Sequence, residues 1–358
     1  MKIACVHAQI KLGGADRRLI DLANALADRG HDVKLFLMSE DNYTGFWIHP
    51  AIQQECIAKK SKIPKTQFIS NIFSLKEKLR KDEIDLAVSF LYPINIQLML
   101  AKAGTKVKTL ISERGDPNKQ PEGGLWKILR DKTYPRTDAM VFQTQGAREY
   151  YRKQIGLDGK VIHNPVDMGG LKAVPQNNKV IANIGLLEPH KNQHRLIRAF
   201  SIFAKNHPDY RLRICGGGPL EAELKRYAQE LGVADRVLWM GKVPEAYKVI
   251  SGDDMFVLSS DFEGMPNALM EAMAMGMPCI SCDCVPGGAR ELIRHGENGL
   301  LSALDDGEDL AEKMAILADD PAYAAKLGEK AAELAQSHLP ARIYQQWIDY
   351  IKETYERG

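Results

Sequence analysis

Short runs of Val, Ile, Leu, Met and Phe punctuate the chain from end to end, and most of them lack a strict apolar–polar alternation. In the first half they fall at 3–7, 34–38, 85–90, 109–113 and 140–144, and in the second at 180–187, 212–215, 237–240, 255–259 and 279–281. A strand with one wet face alternates with period two, whereas a continuous apolar run needs cover on both faces. Helical stretches between most runs supply that cover. The clearest follows Gly13-Gly14, where Leu19, Leu22, Ala23, Leu26 and Ala27 share one helical face and Gly30 ends it. The chain is therefore expected to be α/β, with doubly wound parallel sheets. Around Asn164-Pro165-Val166-Asp167 the pattern breaks. The stretch to Lys179, with Gly169-Gly170, Pro175 and Asn177-Asn178, reads as a linker. At 358 residues the chain exceeds one ordinary core, and two tandem domains are expected at 1–165 and 178–341. The closing residues 342–355 place Ile343, Trp347, Tyr350 and Ile351 on a helical stripe that needs a partner surface.

Composition narrows the class further. Hydrophobic residues make up 45% and charged residues 26%, which is ordinary for a globular chain. No apolar run approaches the roughly 18 residues that span a bilayer, and the N-terminus enters a strand-like Lys2-Ile3-Ala4-Cys5-Val6 directly. The six cysteines form no disulfide framework for a chain of this size, so a cytoplasmic location is expected. Cys279, Cys282 and Cys284 cluster without the second Cys/His pair that a tetrahedral zinc site needs, and read as buried thiols. The net charge of +2 conceals an asymmetry. Residues 1–165 carry 27 Lys+Arg against 18 Asp+Glu, and residues 166–358 carry 21 against 28. Such a split points to an anionic surface or ligand for the first half, unless it is chance variation on two solvated surfaces. The segment Leu125-Trp126-Lys127-Ile128-Leu129-Arg130-Asp131-Lys132 is basic and amphipathic. It reads either as a membrane-surface helix or as a surface helix with Trp126 packed inward.

The chemistry concentrates at Ser259-Ser260-Asp261-Phe262-Glu263-Gly264-Met265-Pro266-Asn267-Ala268-Leu269-Met270-Glu271. A buried strand ends, a Gly/Pro loop follows, and Asn267 is expected to cap the next helix. A helix start offers unpaired N–H groups and a positive dipole end, which suit a phosphate. Glu263 precedes that anion site and Glu271 lies about one turn inside the helix. Carboxylates hold phosphates poorly but accept hydrogen bonds from sugar hydroxyls well. Two of them flanking one anion hole suit a ligand with hydroxyls on both sides of a diphosphate, which describes a nucleotide sugar.

This segment resembles the E-x7-E motif of the family 4 retaining glycosyltransferases, through Glu271-Ala272-Met273-Ala274-Met275-Gly276-Met277-Pro278. Asn183-Ile184-Gly185, Glu188-Pro189-His190-Lys191-Asn192, Gly216-Gly217-Gly218-Pro219-Leu220, Gly287-Gly288-Ala289-Arg290-Glu291-Leu292 and Gly296-Glu297-Asn298-Gly299 extend the resemblance across the second half. It implies the GT-B fold, two Rossmann-like domains facing across a cleft, with the last helix returning to the first domain. It implies an acceptor domain followed by a donor domain, and retention at the anomeric carbon. Glu271 would take the ribose hydroxyls, Glu263 the transferred sugar, Lys191 the diphosphate, and main-chain groups at 241–243, Val243 among them, the base. Gly14, Gly216, Met265, Pro266, Asn267, Ala268 and Leu269 would complete the donor contacts. Leu12-Gly13-Gly14-Ala15 resembles the family's G-G-A loop. Ile111-Ser112-Glu113-Arg114 resembles a segment of bacterial enzymes that extend lipid-linked oligosaccharides or exopolysaccharides, N-acetylgalactosamine transferases included, and would bring Glu113 and Arg114 near the reacting sugar.

The chain departs from the family at Gly185-Leu186-Leu187, where an Arg is usual at the middle position. Either another cation substitutes, with Arg114 the candidate, or stabilisation of the leaving group is weaker. The reading that emerges is sugar transfer from a nucleotide diphosphate sugar, expected to be a UDP-sugar, to a glycan hydroxyl. The acceptor is expected to be lipid-linked or an exopolysaccharide precursor. No metal or other cofactor and no nucleic acid are expected, and an anionic membrane surface is a candidate partner. A sugar-nucleotide epimerase, a phosphorylase, or a catalytically weakened nucleotide-sugar-binding protein on the same architecture remain as alternatives.

Overall fold

The structure, a computed structural model, describes residues 1–10, 14–39, 45–58, 66–121, 123–174, 177–304 and 307–357. It divides into two compact units. The first comprises Met1–Asn164 and Ala341–Gly358, and the second Pro165–Pro340. The charge asymmetry follows these units, with 30 Lys+Arg against 21 Asp+Glu in the first and 18 against 25 in the second.

The first unit is built on a seven-stranded sheet in the order β3-β2-β1-β4-β5-β6-β7. Its strands are β1 (Lys2–His7), β2 (Asp32–Leu37), β3 (Gln53–Cys56), β4 (Leu86–Phe90), β5 (Lys108–Ser112), β6 (Ala139–Phe142) and β7 (Lys160–Val161). Every pairing is parallel. Helices α1 (Gly14–Ala27), α2 (Gln67–Lys81), α3 (Tyr92–Lys102), α4 (Gly124–Thr133) and α5 (Gln145–Ile155) cross between the strands. Successive residues of one strand serve opposite faces. Ile3 and Cys5 join α1 and the closing helix in one core, while Ala4 and Val6 join α2, α3 and α5 in the other. The central strands thus read as unbroken apolar runs because both faces are dry.

The second unit repeats the scheme with six parallel strands in the order β10-β9-β8-β11-β12-β13. These are β8 (Val180–Ile184), β9 (Arg211–Cys215), β10 (Val237–Gly241), β11 (Met255–Leu258), β12 (Cys279–Cys282) and β13 (Leu300–Ser302). The helices are α6 (Gln193–Phe203), α7 (Glu221–Glu230), α8 (Ala246–Ile250), α9 (Asn267–Met275), α10 (Gly288–Leu292), α11 (Gly307–Asp319) and α12 (Pro321–Ser337). In both sheets the strand order reverses beside the first strand, between β1 and β4 and between β8 and β11. Ligands of open α/β sheets bind outside the carboxyl ends of the strands at such a reversal.

The closing helix α13 (Pro340–Glu356) finds its partner in the first unit. Ile343, Tyr344, Trp347, Ile348, Tyr350 and Ile351 enter the core with α1, and the Trp347 ring lies 5.4 Å from that of Phe90. The stretch expected to be a linker is not a free tether over its described part. Val166, Ala173 and Val174 donate their N–H groups to the carbonyls of His338, Met275 and Ser251 within the second unit. Pro175 lies outside the described residues.

Candidate functional site

Two loops meet at the strand reversal of the second unit. The loop after β8 runs from Gly185 to the short 3-10 turn Pro189–Lys191, and the loop after β11 from Ser259 to Pro266. Lys191 Nζ donates to Glu263 Oε1 at 2.5 Å, and Ser260 Oγ donates to the same oxygen at 2.7 Å. Both lysine and glutamate are largely sheltered from water, which strengthens their attraction over that of a surface pair. Their backbones are fixed as well. Ser259 Oγ donates to the Lys191 carbonyl at 2.9 Å and Asp261 N to the His190 carbonyl at 2.8 Å. Behind them Arg195 donates to Asp261 Oδ1 at 2.7 Å and to the Ser259 carbonyl at 2.8 Å, and Asn192 Nδ2 donates to Asp261 Oδ1 at 2.9 Å. His190 stacks on Phe262 with 4.9 Å between ring centres. Burial, reinforced by neighbouring Lys191, lowers the pKa of His190 and favours its neutral form.

Glycine makes the close approach of the neighbouring loops feasible. A Cβ on Gly216 would stand 1.8 Å from the Gly185 carbonyl oxygen, and one on Gly218 2.5 Å from that of Leu187. The loops after β8 and β9 therefore touch backbone to backbone. Two lysine stems rest on this floor. Atoms of Lys191 lie 3.8–3.9 Å from a Cβ built on Gly185, and Lys242 Cγ lies 3.0 Å from one built on Gly217. Lys242 is exposed and follows β10, next to the half-buried Val243. In the sequence Lys242 falls within the main-chain stretch 241–243 and its side chain has no assigned role, because an isolated lysine after a strand carries no pattern.

The E-x7-E segment holds its expected place with one correction. The helix α9 begins at Asn267, and Pro266 occupies the capping position, with no side-chain hydrogen bond to the first turn. A proline cannot satisfy first-turn N–H groups as an Asn cap does. Glu271 is half-buried one turn into this helix, Ala268 is half-buried, and Met265, Pro266 and Leu269 are buried, with Met265 and Leu269 in the core. Gly216 is half-buried, and its N–H donates to the Gly241 carbonyl at 2.8 Å. Leu186 is 49% exposed, its carbonyl held by Gln193 Nε2 at 2.9 Å.

In the first unit the expected residues are engaged otherwise. Glu113 is 4% exposed. Its Oε1 accepts from Tyr134 Oη and, at 3.1 Å, from Asn95 Nδ2, and burial raises its pKa. Its carboxylate faces inward and ties the loop after β5 to the core. The Arg114 guanidinium packs 3.8 Å from the centre of the Phe90 ring and 5.5 Å from that of Trp347, and Nη1 donates to Asn164 Oδ1 at 2.9 Å. These contacts hold within the first unit the charge expected to replace the Arg missing at 186. His7 Nε2 lies 2.7 Å from Asp16 Oδ1, both buried. Gly14 opens α1 and is exposed, while Leu12 and Gly13 lie outside the described residues. On α4 the Trp126 ring packs inward, 5.2 Å from Phe68 and 6.4 Å from Tyr92. Arg130 is fully buried and donates to the carbonyls of Pro117 and Gln120. The basic face expected of α4 therefore lacks Arg130.

All six cysteines are free thiols, and among the described residues no group of three or more His, Cys, Asp or Glu side chains is placed to hold a metal ion. Among the same residues no helix is long and apolar enough to cross a membrane.

Two parallel-sheet Rossmann-like units in tandem, each with its strand order reversing beside its first strand, are the architecture of the GT-B glycosyltransferases. The model for Glycosyltransferase Family 4 matches residues 12–169 and that for Glycosyl transferases group 1 matches residues 172–334. Nearly the whole chain is thereby covered, and it belongs to the family 4 glycosyltransferases of GT-B fold. It is 27% identical, over 99% of both chains, to a Campylobacter jejuni enzyme named GalNAc-alpha-(1->4)-GalNAc-alpha-(1->3)-diNAcBac-PP-undecaprenol alpha-1,4-N-acetyl-D-galactosaminyltransferase. Among solved structures, sucrose-phosphate synthase from Thermosynechococcus elongatus superposes with a TM-score of 0.86 over the full length of both chains at 18% identity. Anabaena HepE in complex with UDP gives 0.83 over 99% of this chain and 100% of its own at 21% identity. At these identities the structures speak for the fold.

Proposed function

We propose that this glycosyltransferase moves a sugar from a UDP-sugar to a hydroxyl of a growing lipid-linked or exopolysaccharide glycan, with retention at the anomeric carbon. The observation that carries the donor reading is the Lys191–Glu263 pair, set between the glycine floor and the start of α9. In this reading the diphosphate draws the Lys191 ammonium, Glu263 turns to the hydroxyls of the transferred sugar, and Glu271 receives the ribose. As the bond between C1 and the leaving oxygen breaks, negative charge grows on the diphosphate, and the ammonium and first-turn N–H groups stabilise it. Lys242, whose stem lies over Gly217, supplies positive charge on the same floor in place of the Arg absent at 186. The inward-facing Glu113 and Arg114 act as positioning residues for the loop after β5. Support for the donor and acceptor classes comes from the UDP complex of HepE and the named activity of the Campylobacter enzyme.

The test is UDP release from a panel of UDP-sugars, with and without undecaprenyl-diphosphate-linked acceptors, followed by determination of product anomeric configuration. Acceptor-dependent UDP release with an α-linked product from an α-linked donor is expected. A β-linked product would overturn retention. Conversion of one UDP-sugar into another, with no acceptor requirement, would favour the epimerase.

A further inference from the structure

Asp261 stands two residues before Glu263 on the loop after β11, a carboxylate on a loop that the donor reading asks to receive a diphosphate. Its N–H donates to the His190 carbonyl at 2.8 Å, which brings it to the turn that carries Lys191. The charges of Lys191, Glu263, Glu188 and Asp261 all act on the His190 ring, so the four groups surround one residue. Left to itself, Asp261 would compete with Glu263 for the Lys191 ammonium and would repel an incoming diphosphate.

Arg195 stands against both. It lies in the first turn of α6, and its side chain is only 6% exposed. Nη2 donates to Asp261 Oδ1 at 2.7 Å, and Nη1 donates to the Ser259 carbonyl at 2.8 Å and lies 3.7 Å from Cys282 Sγ. Asn192 Nδ2 adds a second donor to the same Asp261 oxygen at 2.9 Å, while its own Oδ1 accepts the Arg195 N–H at 3.1 Å. The guanidinium is thus anchored where β11 and β12 end. A planar fork fixed in this way holds a carboxylate in one direction. A mere tie between the two loops needs no buried charge, since Ser259 Oγ already makes one to the Lys191 carbonyl with a neutral hydroxyl. Burying a guanidinium is costly, and here it is matched to a charge.

We infer that Arg195 is a positioning residue of the donor site, holding Asp261 away from Lys191 so that the ammonium is shared only between Glu263 and the donor diphosphate. Arg195 acts through Asp261 and needs no contact with the donor. The inference rests on the donor reading of Lys191 and Glu263.

The test is calorimetry of the full chain with UDP, beside thermal melts. Arg195→Met should weaken UDP binding by roughly tenfold or more, because it frees a like charge beside the diphosphate. Arg195→Lys, which keeps the charge, should weaken it less. Adding Asp261→Asn to Arg195→Met should return most of the affinity, since the carboxylate to be held away is then gone. A double variant that binds UDP no better than Arg195→Met would assign Arg195 to the scaffold alone and overturn the inference, as would a folded Arg195→Met with wild-type affinity. Should Arg195→Met lose its cooperative melt, Asp261→Asn by itself decides. UDP affinity at or above wild type is expected there, and a weaker affinity overturns the inference. Lys191→Ala separates the two readings: unchanged UDP affinity in that variant would overturn the donor reading, whereas a loss there with Arg195→Met unaffected would overturn only the role of Arg195.

Discussion

Lys191 and Glu263 hold one another, and in the proposed reading each also serves the donor. That coupling separates the expected effects of single substitutions. Lys191→Ala should lower kcat by roughly 100- to 1000-fold, the loss typical of removing one preorganised group that stabilises developing charge. Glu271→Ala should weaken UDP binding by about 1.5–3 kcal/mol, the range for a hydrogen bond to a charged acceptor. Glu263→Ala should instead cut turnover with a smaller loss of UDP affinity. Calorimetry with UDP checks these assignments, and equal affinity in wild type and Glu271→Ala would remove Glu271 from the ribose. Lys242→Ala should weaken UDP while Lys242→Arg retains it. Glu113 makes a separate prediction. Its folded-state pKa is raised above the ordinary 4.5 by burial, so the folded protein binds the proton more tightly than the unfolded chain. Its contribution to stability is fully present below pH 4.5 and declines as the pH rises from there through the folded-state value. Glu113→Gln should lose this dependence, so wild type minus variant should fall over that window in denaturant melts. A difference flat with pH would show that Glu113 binds its proton equally in the folded and unfolded chain.

At the scale of elements, the site depends on loops brought into backbone contact. Gly216→Ala would drive a Cβ into the Gly185 carbonyl, which cannot yield as a flexible side chain could. Overpacking of this kind costs roughly 1–3 kcal/mol, and it should weaken donor binding more than Gly124→Ala, where a Cβ meets nothing within 4 Å. Thermal melts and UDP titration of both variants check the comparison; equal UDP affinity would mean the glycine floor is not part of the donor site. The same scale explains which strands were legible. Central strands such as β4 and β11 are buried along their whole length and announce themselves as apolar runs. Edge strand β3, Gln-Gln-Glu-Cys, is mostly exposed and β7 is two residues long, so neither carries a hydrophobic signal. The start of α9 was misplaced by one position because Asn is a good cap by chemistry, while the loop geometry put Pro266 there.

For the molecule as a whole, the chain leaves the first unit at Asn164, builds the second, and returns with α13. The first core is therefore completed by its last segment. Trp347, 2% exposed against Phe90 and beneath Arg114, should cost about 3–5 kcal/mol on replacement by Ala. A fragment of residues 165–340 should fold alone and bind UDP, whereas residues 1–164 should need the 341–358 segment to give a cooperative melt. A cooperative melt of 1–164 by itself would show that α13 is dispensable to that core.

Period and spacing alone determined the class of fold, the two-part organisation and the place of the E-x7-E segment, because these are local properties. An apolar run long enough to be a central strand, a helix stripe and a glycine-rich turn each declare their environment within a few residues. What the tertiary structure decided is where each charge points. Arg114, Glu113 and Arg130 look alike in sequence to residues of an open site, yet aromatic rings, a tyrosine and loop carbonyls draw them inward. Lys242, which carries no motif, comes to lie over Gly217. A side chain's direction depends on partners tens of residues away, and no local pattern encodes it.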